Sequence, residues 1–288
     1  RKHCMILENC CYDWFEMNTL NMAQQGVFGE VIRAQGAYIH NLSPFWNHYW
    51  KNGENDKLGW RLDYNMRHRG DVYATHGLGP VAQALDIHRG DRMKTLVAMD
   101  TKSAIGKALV EERADSICNN FRNGDHTTTL IRTENGKVIE IQHNVMTPQP
   151  YNRLYQLTGT KGFANKYPIS GYALDAKQLT ASGVQPKIDD LNSHSFLPKS
   201  EMETLVAKYQ HPILKNHPNI MFELANEPIN ILGPDGTYGA GSQGHFDKLK
   251  EYFQSVVDAM RAQGCGNILW IPGLGYQGLY KGLSLIHI

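Results

Sequence analysis

Five strand-like segments follow one another between residues 95 and 166, and they leave few folds open to this chain. They span residues 95–99, 127–133, 137–144, 151–158 and 162–166. The dipeptide Asn135-Gly136 between two of them is a strong signal for a tight β-hairpin turn. An alternating strand at 30–40 and helical patterns at 13–25 and 71–88 stand before this run. This order predicts an α+β domain, in which an open mixed or antiparallel sheet carries helices on one face.

The pattern of the chain changes after residue 217. A compact apolar strand at 220–224 is followed by a Gly-rich loop, an amphipathic helix that ends at Gly264, and a second apolar strand at 267–271. Strand, helix and strand in this order predict a βαβ unit, as found in parallel barrels. One unit of about 50 residues cannot close a barrel, which takes about 250. We therefore expect a substrate-domain fold at 1–215, a partial barrel fragment at 216–283, and a short tail at 284–288.

Composition excludes several classes of partner. The net charge of +1 gives no broad electrostatic attraction to nucleic acid or anionic membranes, and no apolar run approaches the about 20 residues of a membrane span. The five cysteines, without a C-x-x-C pair, predict neither a disulfide framework nor a zinc site. A content of 14 Tyr and 5 Trp favours a carbohydrate partner, although large cores also use aromatic residues.

Two pairs of aromatic and imidazole side chains could form a proton-transfer cluster. Tyr38 and His40 lie two apart on a predicted strand, so they share a face about 6.6 Å apart. Tyr73 and His76 lie three apart on a predicted helix and share a face there. Histidine and tyrosine can both transfer protons. The same spacing also fits half-buried polar groups with a purely structural role.

Residues 1 to about 215 resemble the C-terminal part of the NAD-dependent α-N-acetylgalactosaminidases, glycoside hydrolase family 109, within the Gfo/Idh/MocA group. The matching segments keep their order along the chain; they are Leu7-Glu8-Asn9, Gly36-Ala37-Tyr38-Ile39-His40, Trp60-Arg61, Tyr73-Ala74-Thr75-His76-Gly77, Asp86-Ile87-His88-Arg89-Gly90 and Pro150-Tyr151-Asn152. The resemblance implies that one set of residues surrounds the sugar: Tyr38, Arg61, Tyr73, Ala74, Thr75, His76 and Tyr151. It places Glu8, Asn9 and His40 near an NAD cofactor.

The family chemistry implied by this resemblance proceeds through oxidation of the sugar. NAD⁺ accepts hydride from C3, a base removes the acidified C2 proton, the C1 substituent leaves, water adds and the hydride returns. We expect His76 to relay the C3 hydroxyl proton and Tyr38 to act at C2 or C1, with Tyr151 as the next candidate for that role. A tyrosine base would need a pKa lowered by about 3 units, which Arg61 and the cofactor charge could supply. However, no G-x-G-x-x-G phosphate loop follows any predicted strand, so tight NAD binding by this chain alone is not expected.

The segment His217 to Pro228 resembles the acid/base strand of glycoside hydrolase family 5 cellulases, and the likeness extends to about residue 283. This resemblance makes Glu227 a general acid/base and Asn226 its substrate-orienting neighbour. A retaining enzyme needs a second carboxylate about 5–5.5 Å away. Glu223 would lie about 13 Å from Glu227 along a strand and cannot serve.

Three functions remain open from the sequence: an NAD-dependent exo-glycosidase fragment, a β-glucan endo-hydrolase, and a non-catalytic sheet domain that associates with a partner or binds sugar weakly. Residues 284–288 resemble translated adapter sequence, so we expect a composite reading frame, with a natural fusion as the alternative. An open sheet face could pair with a second copy of the chain. The compartment stays open between the cytoplasm and, with an export signal, the periplasm or secretion.

Overall fold

The computed structural model describes residues 8–42, 60–113, 121–184, 195–211, 221–223, 231–239, 242–266 and 268–270. The chain divides into two compact units, Arg1–Gln210 and His211–Ile288.

The first unit alternates helices with the strands of one sheet. A 3-10 helix at Asn9–Tyr12 precedes α1, and the helices are α1 (Trp14–Gln24), α2 (Trp60–Arg67), α3 (Thr75–Ala84), α4 (Ile105–Arg113), α5 (Ala176–Ala181) and α6 (Lys199–Lys208). The strands are β1 (Val31–Ile39), β2 (Met93–Asp100), β3 (Thr127–Thr133), β4 (Val138–Asn144), β5 (Tyr155–Gly159), β6 (Gly162–Lys166) and β7 (Gly171–Leu174).

All seven strands form one mixed sheet in the order β2-β3-β4-β1-β5-β6-β7. β1 pairs with β4 in parallel, and the other neighbours pair antiparallel. The predicted hairpin at Asn135-Gly136 joins β3 to β4, with Gly136 at a φ of 84° that suits glycine. The sheet and its helices confirm the coarse prediction of an α+β fold.

The hydrophobic core lies between the helices and one face of the sheet. Phe15 and Met22 of α1 and Val81 of α3 are buried there with Ile139 of β4 and Leu157 of β5. The opposite face of β2 and β3 is open, because Val97, Met99 and Leu130 are 62%, 75% and 48% exposed. Val97 and Leu130 are direct cross-strand partners on this face. The sheet therefore has one covered face and, around these two strands, one apolar face without a layer of helices among the described residues.

Two glycines allow α3 to pack directly on β1. A Cβ atom built on Gly36 of β1 would lie 2.1 Å from the carbonyl oxygen of Gly77, and one built on Gly77 would lie 2.9 Å from the backbone nitrogen of Ala37. No side chain fits between the two backbones at that separation. This contact fixes the N-terminal turn of α3 against the C-terminal half of β1.

One predicted boundary was wrong, and three elements were not predicted. Helix α3 begins at Thr75, so Tyr73 precedes the helix; the Asp71 carboxylate accepts a hydrogen bond from the Tyr73 backbone N–H at 3.0 Å and forms a turn there instead. Helix α2, strand β7 and helix α5 lie outside the segments in which the sequence predicts a helix or a strand. Tyr172 anchors β7, because its ring is fully buried and stacks on Phe15 with centroids 5.0 Å apart.

The second unit contains the predicted strand–helix–strand arrangement. β8 (Met221–Glu223) pairs in parallel with β11 (Ile268–Trp270), and α7 (Gln243–Ala262) lies between them in sequence. A small hairpin of β9 (Ile231–Leu232) and β10 (Tyr238–Gly239) was not predicted. Residues 239–244 do match the G-x-G-x-x-G spacing, but β10 is a two-residue antiparallel strand and not the parallel strand of a dinucleotide-binding fold. Asn226, Glu227 and residues 284–288 lie outside the described residues.

Among the described residues, no helix combines the length and apolar character that a membrane crossing requires.

The contact between the two glycines predicts that Gly36→Ala destabilises the first unit. The added methyl would overlap backbone atoms that cannot rotate away, so we expect a loss of at least about 2 kcal/mol in the free energy of unfolding, measured by urea denaturation. Gly266→Ala is the matched control, because a Cβ there meets nothing within 4 Å. Equal stability of the two variants would show that the backbones can separate at no cost.

Candidate active site

Four rings converge where the C-terminal end of β1 meets the start of α3. The ring centroid of Tyr38 lies 5.0 Å from that of His76, 5.3 Å from that of Tyr73 and 5.8 Å from that of His40. Tyr73 and His76 are 4.8 Å apart. The structure thus brings together the two residue pairs that sequence spacing had proposed as one cluster. Tyr151 joins them, with its ring 5.0 Å from His40.

The imidazole of His76 forms a hydrogen bond with the carboxylate of Glu8. Nδ1 of His76 lies 2.5 Å from Oε1 of Glu8, and both side chains are nearly buried. Burial alone would raise the pKa of Glu8, but the hydrogen bonds from His76 and the Cys10 backbone N–H outweigh it and lower the pKa to about 2. An ionised carboxylate only accepts, so Nδ1 of His76 carries the proton. In neutral His76 the other nitrogen, Nε2, is then unprotonated and can act as a base.

Tyr38 is held as a protonated phenol. Burial raises the pKa of Tyr38 to about 12, although the charges of Arg61 and Arg153 oppose this shift. Its hydroxyl lies 3.2 Å from Nδ1 of His40. Burial, together with Arg153 and Arg61, lowers the pKa of His40, so the imidazole is neutral and can accept the phenol proton in this bond. Among the groups of the protein itself, desolvation of the phenolate outweighs the charges of the two arginines, and the predicted joint effect of Arg61 and the cofactor charge stays a prediction.

Two arginines stack on the tyrosine rings of this cluster. Arg61 lies on α2 and is 8% exposed. Its guanidinium carbon lies 4.8 Å from the centre of the Tyr73 ring. The guanidinium carbon of Arg153 lies 4.5 Å from the ring centre of Tyr38 and 5.3 Å from that of Tyr151. Such cation–π contacts hold planar rings in place and keep positive charge beside them.

Several buried polar atoms around the cluster have no hydrogen-bond partner in the described part of the chain: Oδ2 of Asp71, Nε2 of His143, Oδ1 of Asn152 and Nε of Arg153. His143 is 3% exposed, and its ring lies 5.9 Å from that of Tyr38. Unpaired buried polar atoms are costly, so native proteins retain few of them without a reason. A ligand with several hydroxyl groups would supply donors and acceptors of the missing kind.

The remaining predicted residues lie at the edge of this cluster. Ala74 directly precedes α3 and Thr75 begins it. The side chain of Thr75 hydrogen-bonds Glu8 and helps to keep the pKa of that carboxylate low. Asn9 begins the short 3-10 helix, where its Oδ1 lies 3.5 Å from the thiol of Cys10.

One group of potential metal ligands overlaps the cluster. Glu8, Cys10 and His76 offer an oxygen, a sulfur and a nitrogen within 4.8 Å of one another. However, Nη1 of Arg153 donates a hydrogen bond to Sγ of Cys10 at 2.7 Å, and burial raises the pKa of that thiol to about 12. A protonated thiol beside a guanidinium is a poor ligand for a cation. This chemistry favours the hydrogen-bonded arrangement of the three side chains over a metal centre.

The family profile described as Glycosyl hydrolase 109, C-terminal domain, matches residues 12–224. The chain belongs to this family. Its match extends to residue 224 and overlaps the start of the segment for which a family 5 resemblance was predicted. With the mixed sheet, the family assignment agrees with the predicted Gfo/Idh/MocA-like α+β fold.

Two relatives from Phocaeicola vulgatus show the same membership. The chain is similar to glycosyl hydrolase family 109 protein 5, with 86% identity over 75% of this chain and 42% of the relative. It is 82% identical to family 109 protein 4 over 78% of this chain and 43% of the relative. The chain therefore spans about two fifths of the length of these relatives. A solved scyllo-inositol dehydrogenase from Lactobacillus casei shares 9% identity at a TM-score of 0.38, over 69% of this chain and 49% of that one, and supports no functional conclusion.

Four residues of this candidate site were not predicted from the sequence: Cys10, Asp71, His143 and Arg153. Burial raises the pKa of Asp71 to about 6, despite a hydrogen bond from the Tyr73 backbone N–H that lowers it. Burial, with the charges of Arg61 and His126, lowers the pKa of His143 to about 4. Cys10 and Arg153 stand next to residues of the matched motifs, and that adjacency was the available signal for them.

The bond between Glu8 and His76 predicts a pH-dependent stability difference between the native chain and Glu8→Gln. Because folding lowers the pKa of Glu8 from 4.5 to about 2, its stabilising effect is complete above pH 4.5 and is lost as the pH falls toward 2. The shift corresponds to roughly 3 kcal/mol at most. Urea denaturation between these limits measures it.

The exposed Glu30 supplies the matched control, since Glu30→Gln removes a carboxylate outside the ring cluster. We expect no comparable pH dependence there. A Glu8→Gln difference that stays constant across the pH range would mean that the carboxylate acts by packing and not by its charge.

Proposed function

We propose that this chain carries the sugar-binding and proton-transfer part of an NAD-dependent α-N-acetylgalactosaminidase. The observation that supports the proposal most directly is the Glu8–His76 pair beside Tyr38, because it combines an oriented base with a protonated phenol in one cluster. Membership of family 109 supports a glycoside hydrolase. Since the chain spans about two fifths of its relatives, the activity of a whole enzyme is part of the proposal.

His76 is the proposed base at the C3 hydroxyl. Glu8 orients the ring through Nδ1 and stabilises the imidazolium that forms when Nε2 takes a proton. The same carboxylate keeps the unprotonated nitrogen at a fixed position. The Glu8–His76 pair therefore makes proton removal from the sugar directional.

Tyr38 is proposed to donate its proton to the C1 substituent as that group leaves, and the resulting phenolate is proposed to accept the proton from C2. With its pKa raised to about 12, the phenol is protonated at neutral pH and acts first as an acid. The neutral His40 imidazole accepts the hydrogen bond of the Tyr38 hydroxyl in the resting protein. Tyr151, which is 45% exposed, lies at the mouth of the cluster, where its ring can cover one face of a sugar.

The donor set fits the nicotinamide end of NAD and not its phosphates. Glu8, Asn9 and His40 provide a carboxylate, an amide and a neutral imidazole beside the ring cluster, which suit a cationic ring with a carboxamide. The matched part of the chain carries no glycine-rich phosphate loop after a strand. When bound, NAD⁺ supplies the acceptor for hydride from C3.

The proposed roles predict the kinetics of two variants in a complete enzyme. Residues 1–215 of this chain would replace the matched segment of family 109 protein 5 from Phocaeicola vulgatus, and release from an aryl α-N-acetylgalactosaminide would be measured with NAD⁺. We expect His76→Ala and Tyr38→Phe each to lower kcat by about 10²- to 10⁴-fold, as for loss of an acid–base group.

Met66→Leu, on the inner side of α2, is the control for packing changes near the rings. Unchanged rates in both His76→Ala and Tyr38→Phe would remove the assigned roles. Folding is checked by circular dichroism, so that a lost rate is not confused with a lost structure.

A second candidate, an endo-β-glucanase that uses Glu227 and Asn226, rests on the parallel pairing of β8 with β11 around α7. Glu227 follows β8 by four residues, as an acid would follow a barrel strand. Release of reducing ends from carboxymethyl cellulose by the 288-residue chain, lost in Glu227→Gln, would support it. If no activity is found either on carboxymethyl cellulose or on the aryl α-N-acetylgalactosaminide, a non-catalytic sugar-binding or association domain is favoured.

The open face of β2 and β3 is proposed to pair two copies of the chain. Val97, Met99 and Leu130 form an apolar strip there, and such strips mark association sites when they are contiguous. Met99→Glu should shift the chain toward monomer in sedimentation velocity, because it places charge in the strip. Ile169→Glu, at a 63% exposed residue outside the strip, should leave the assembly unchanged. A native chain that sediments as a monomer at all concentrations would contradict the proposal.

A further inference from the structure

Tyr167 directly follows β6 and places its ring beside that of Tyr151. The two ring centroids lie 6.2 Å apart, and the ring planes meet at 67°. Tyr151 in turn lies 5.0 Å from His40 of the ring cluster. Tyr38 is buried in that cluster, whereas Tyr151 and Tyr167 are both partly exposed. Tyr151 and Tyr167 therefore form a pair of aromatic rings at the mouth of the cluster.

The backbone of Tyr167 has a left-handed conformation that a tyrosine rarely adopts. Its φ angle is 72°. Asp86 and His88 also have a positive φ, but aspartate and histidine occur in this region more often than bulky aromatic residues do. The Cβ atom of an L-residue lies too close to the following carbonyl oxygen there, and glycine or asparagine is better tolerated. The ring at position 167 is therefore held at a steric cost, and residues of this kind are concentrated at ligand-binding sites.

Buried polar contacts hold the turn that carries Tyr167. Nδ2 of Asn165, a residue that is 7% exposed, donates to the carbonyl oxygen of Tyr167 at 3.1 Å and to that of Ile169 at 2.7 Å. Oδ1 of Asn165 accepts a hydrogen bond from Nε2 of Gln156 on β5 at 3.0 Å. Both polar atoms of the Asn165 amide are thus engaged. The turn that aims the Tyr167 side chain is preorganised, which lowers the entropy cost of binding a ligand there.

We propose that Tyr167, together with Tyr151, contacts the leaving group of the glycoside and favours a leaving group with a six-membered ring. The inference rests on the proposed function. An enzyme that releases a terminal sugar holds that sugar in the ring cluster, so the ligand continues past the mouth only through the oxygen on C1. Two tyrosine rings at 67° offer a flat face and an edge, which suit the flat side of a sugar or aryl ring. A flexible chain would lose more rotational freedom on the same surface.

Three glycosides with six carbon atoms in the leaving group test this preference. They are the n-hexyl, cyclohexyl and phenyl α-N-acetylgalactosaminides, and a ligand-observed NMR titration of the 288-residue chain gives each Kd. We expect at least one ring probe to bind about threefold to tenfold more tightly than the hexyl probe, as for one aromatic contact. Tighter binding of the cyclohexyl probe identifies a saturated ring, as in a second sugar, and tighter binding of the phenyl probe identifies an aryl group.

Substitutions at Tyr167 assign the preference to its ring. Tyr167→Phe keeps the flat ring and should keep the preference. Tyr167→Leu keeps the backbone strain and much of the volume but has no flat face, so it should lose most of the preference. Tyr238→Asn is the control, because it removes a 66% exposed ring from the second unit, and it should change no Kd.

Stability separates a ligand-binding role from a packing role. Tyr167→Asn introduces a residue that tolerates a positive φ, so its urea midpoint should equal or exceed that of the native chain while the ring preference is lost. A lower midpoint together with an unchanged preference would show that the ring only packs the fold, and would overturn the proposal. If Tyr167→Asn is too unstable for titration, Tyr167→Phe and Tyr167→Leu decide the question.

The outcomes separate this inference from the proposed function. Equal Kd values for the three glycosides would overturn the leaving-group preference and leave the proposed sugar site standing. Failure of all three to bind would overturn both. A preference that survives Tyr167→Leu would overturn the assignment to Tyr167.

Discussion

Gly36 and Gly77 bring the backbone of α3 against the backbone of β1, and the position of His76 beside Tyr38 follows from that contact. Because His76 is the residue before Gly77, its side chain leaves the helix where the two elements are closest. Any side chain at either glycine would separate the elements by at least the size of a methyl group. The geometry of the ring cluster thus depends on two residues that have no chemistry of their own.

Burial is the largest single influence on the pKa values of Tyr38 and Glu8. Nearby charges offset it only in part. For Tyr38, desolvation outweighs two nearby guanidinium groups and keeps the phenol protonated. For Glu8 the balance is reversed, because direct hydrogen bonds from His76 and the Cys10 backbone outweigh desolvation. Direct bonds act at about 2.5–3.2 Å, whereas the guanidinium carbons lie 4.5 Å or more from the ring centres. The site therefore combines an ionised carboxylate, Glu8, with a neutral phenol, Tyr38, and such a pair suits proton transfer.

The sequence predicted those elements of the fold that depend mainly on residues close together in the chain. The alternation of residues predicted strand β1 correctly, and the Asn135-Gly136 dipeptide predicted the hairpin correctly. Both features depend on neighbouring residues. The start of α3 was wrong because the Asp71 side chain competes for the Tyr73 backbone N–H, a bond that helical periodicity does not reveal. Arg153 was missed for a different reason. Its place opposite Tyr38 depends on a strand register between residues 115 positions apart, which no single sequence specifies.

The unpaired polar atoms around the rings connect the stability of this fold with its selectivity. Each buried donor or acceptor without a partner costs roughly 1–3 kcal/mol, while a whole domain is stable by only about 5–15 kcal/mol. Among the described residues of the first unit, four such atoms have no partner and together represent a cost comparable to the stability of a domain: Oδ2 of Asp71, Nε2 of His143, Oδ1 of Asn152 and Nε of Arg153. A ligand that completes these bonds recovers the cost on binding, and an analogue that lacks one hydroxyl leaves an atom unpaired and recovers less. The proposed selectivity for a polyhydroxylated sugar follows from these bonds, which the described residues do not complete among themselves.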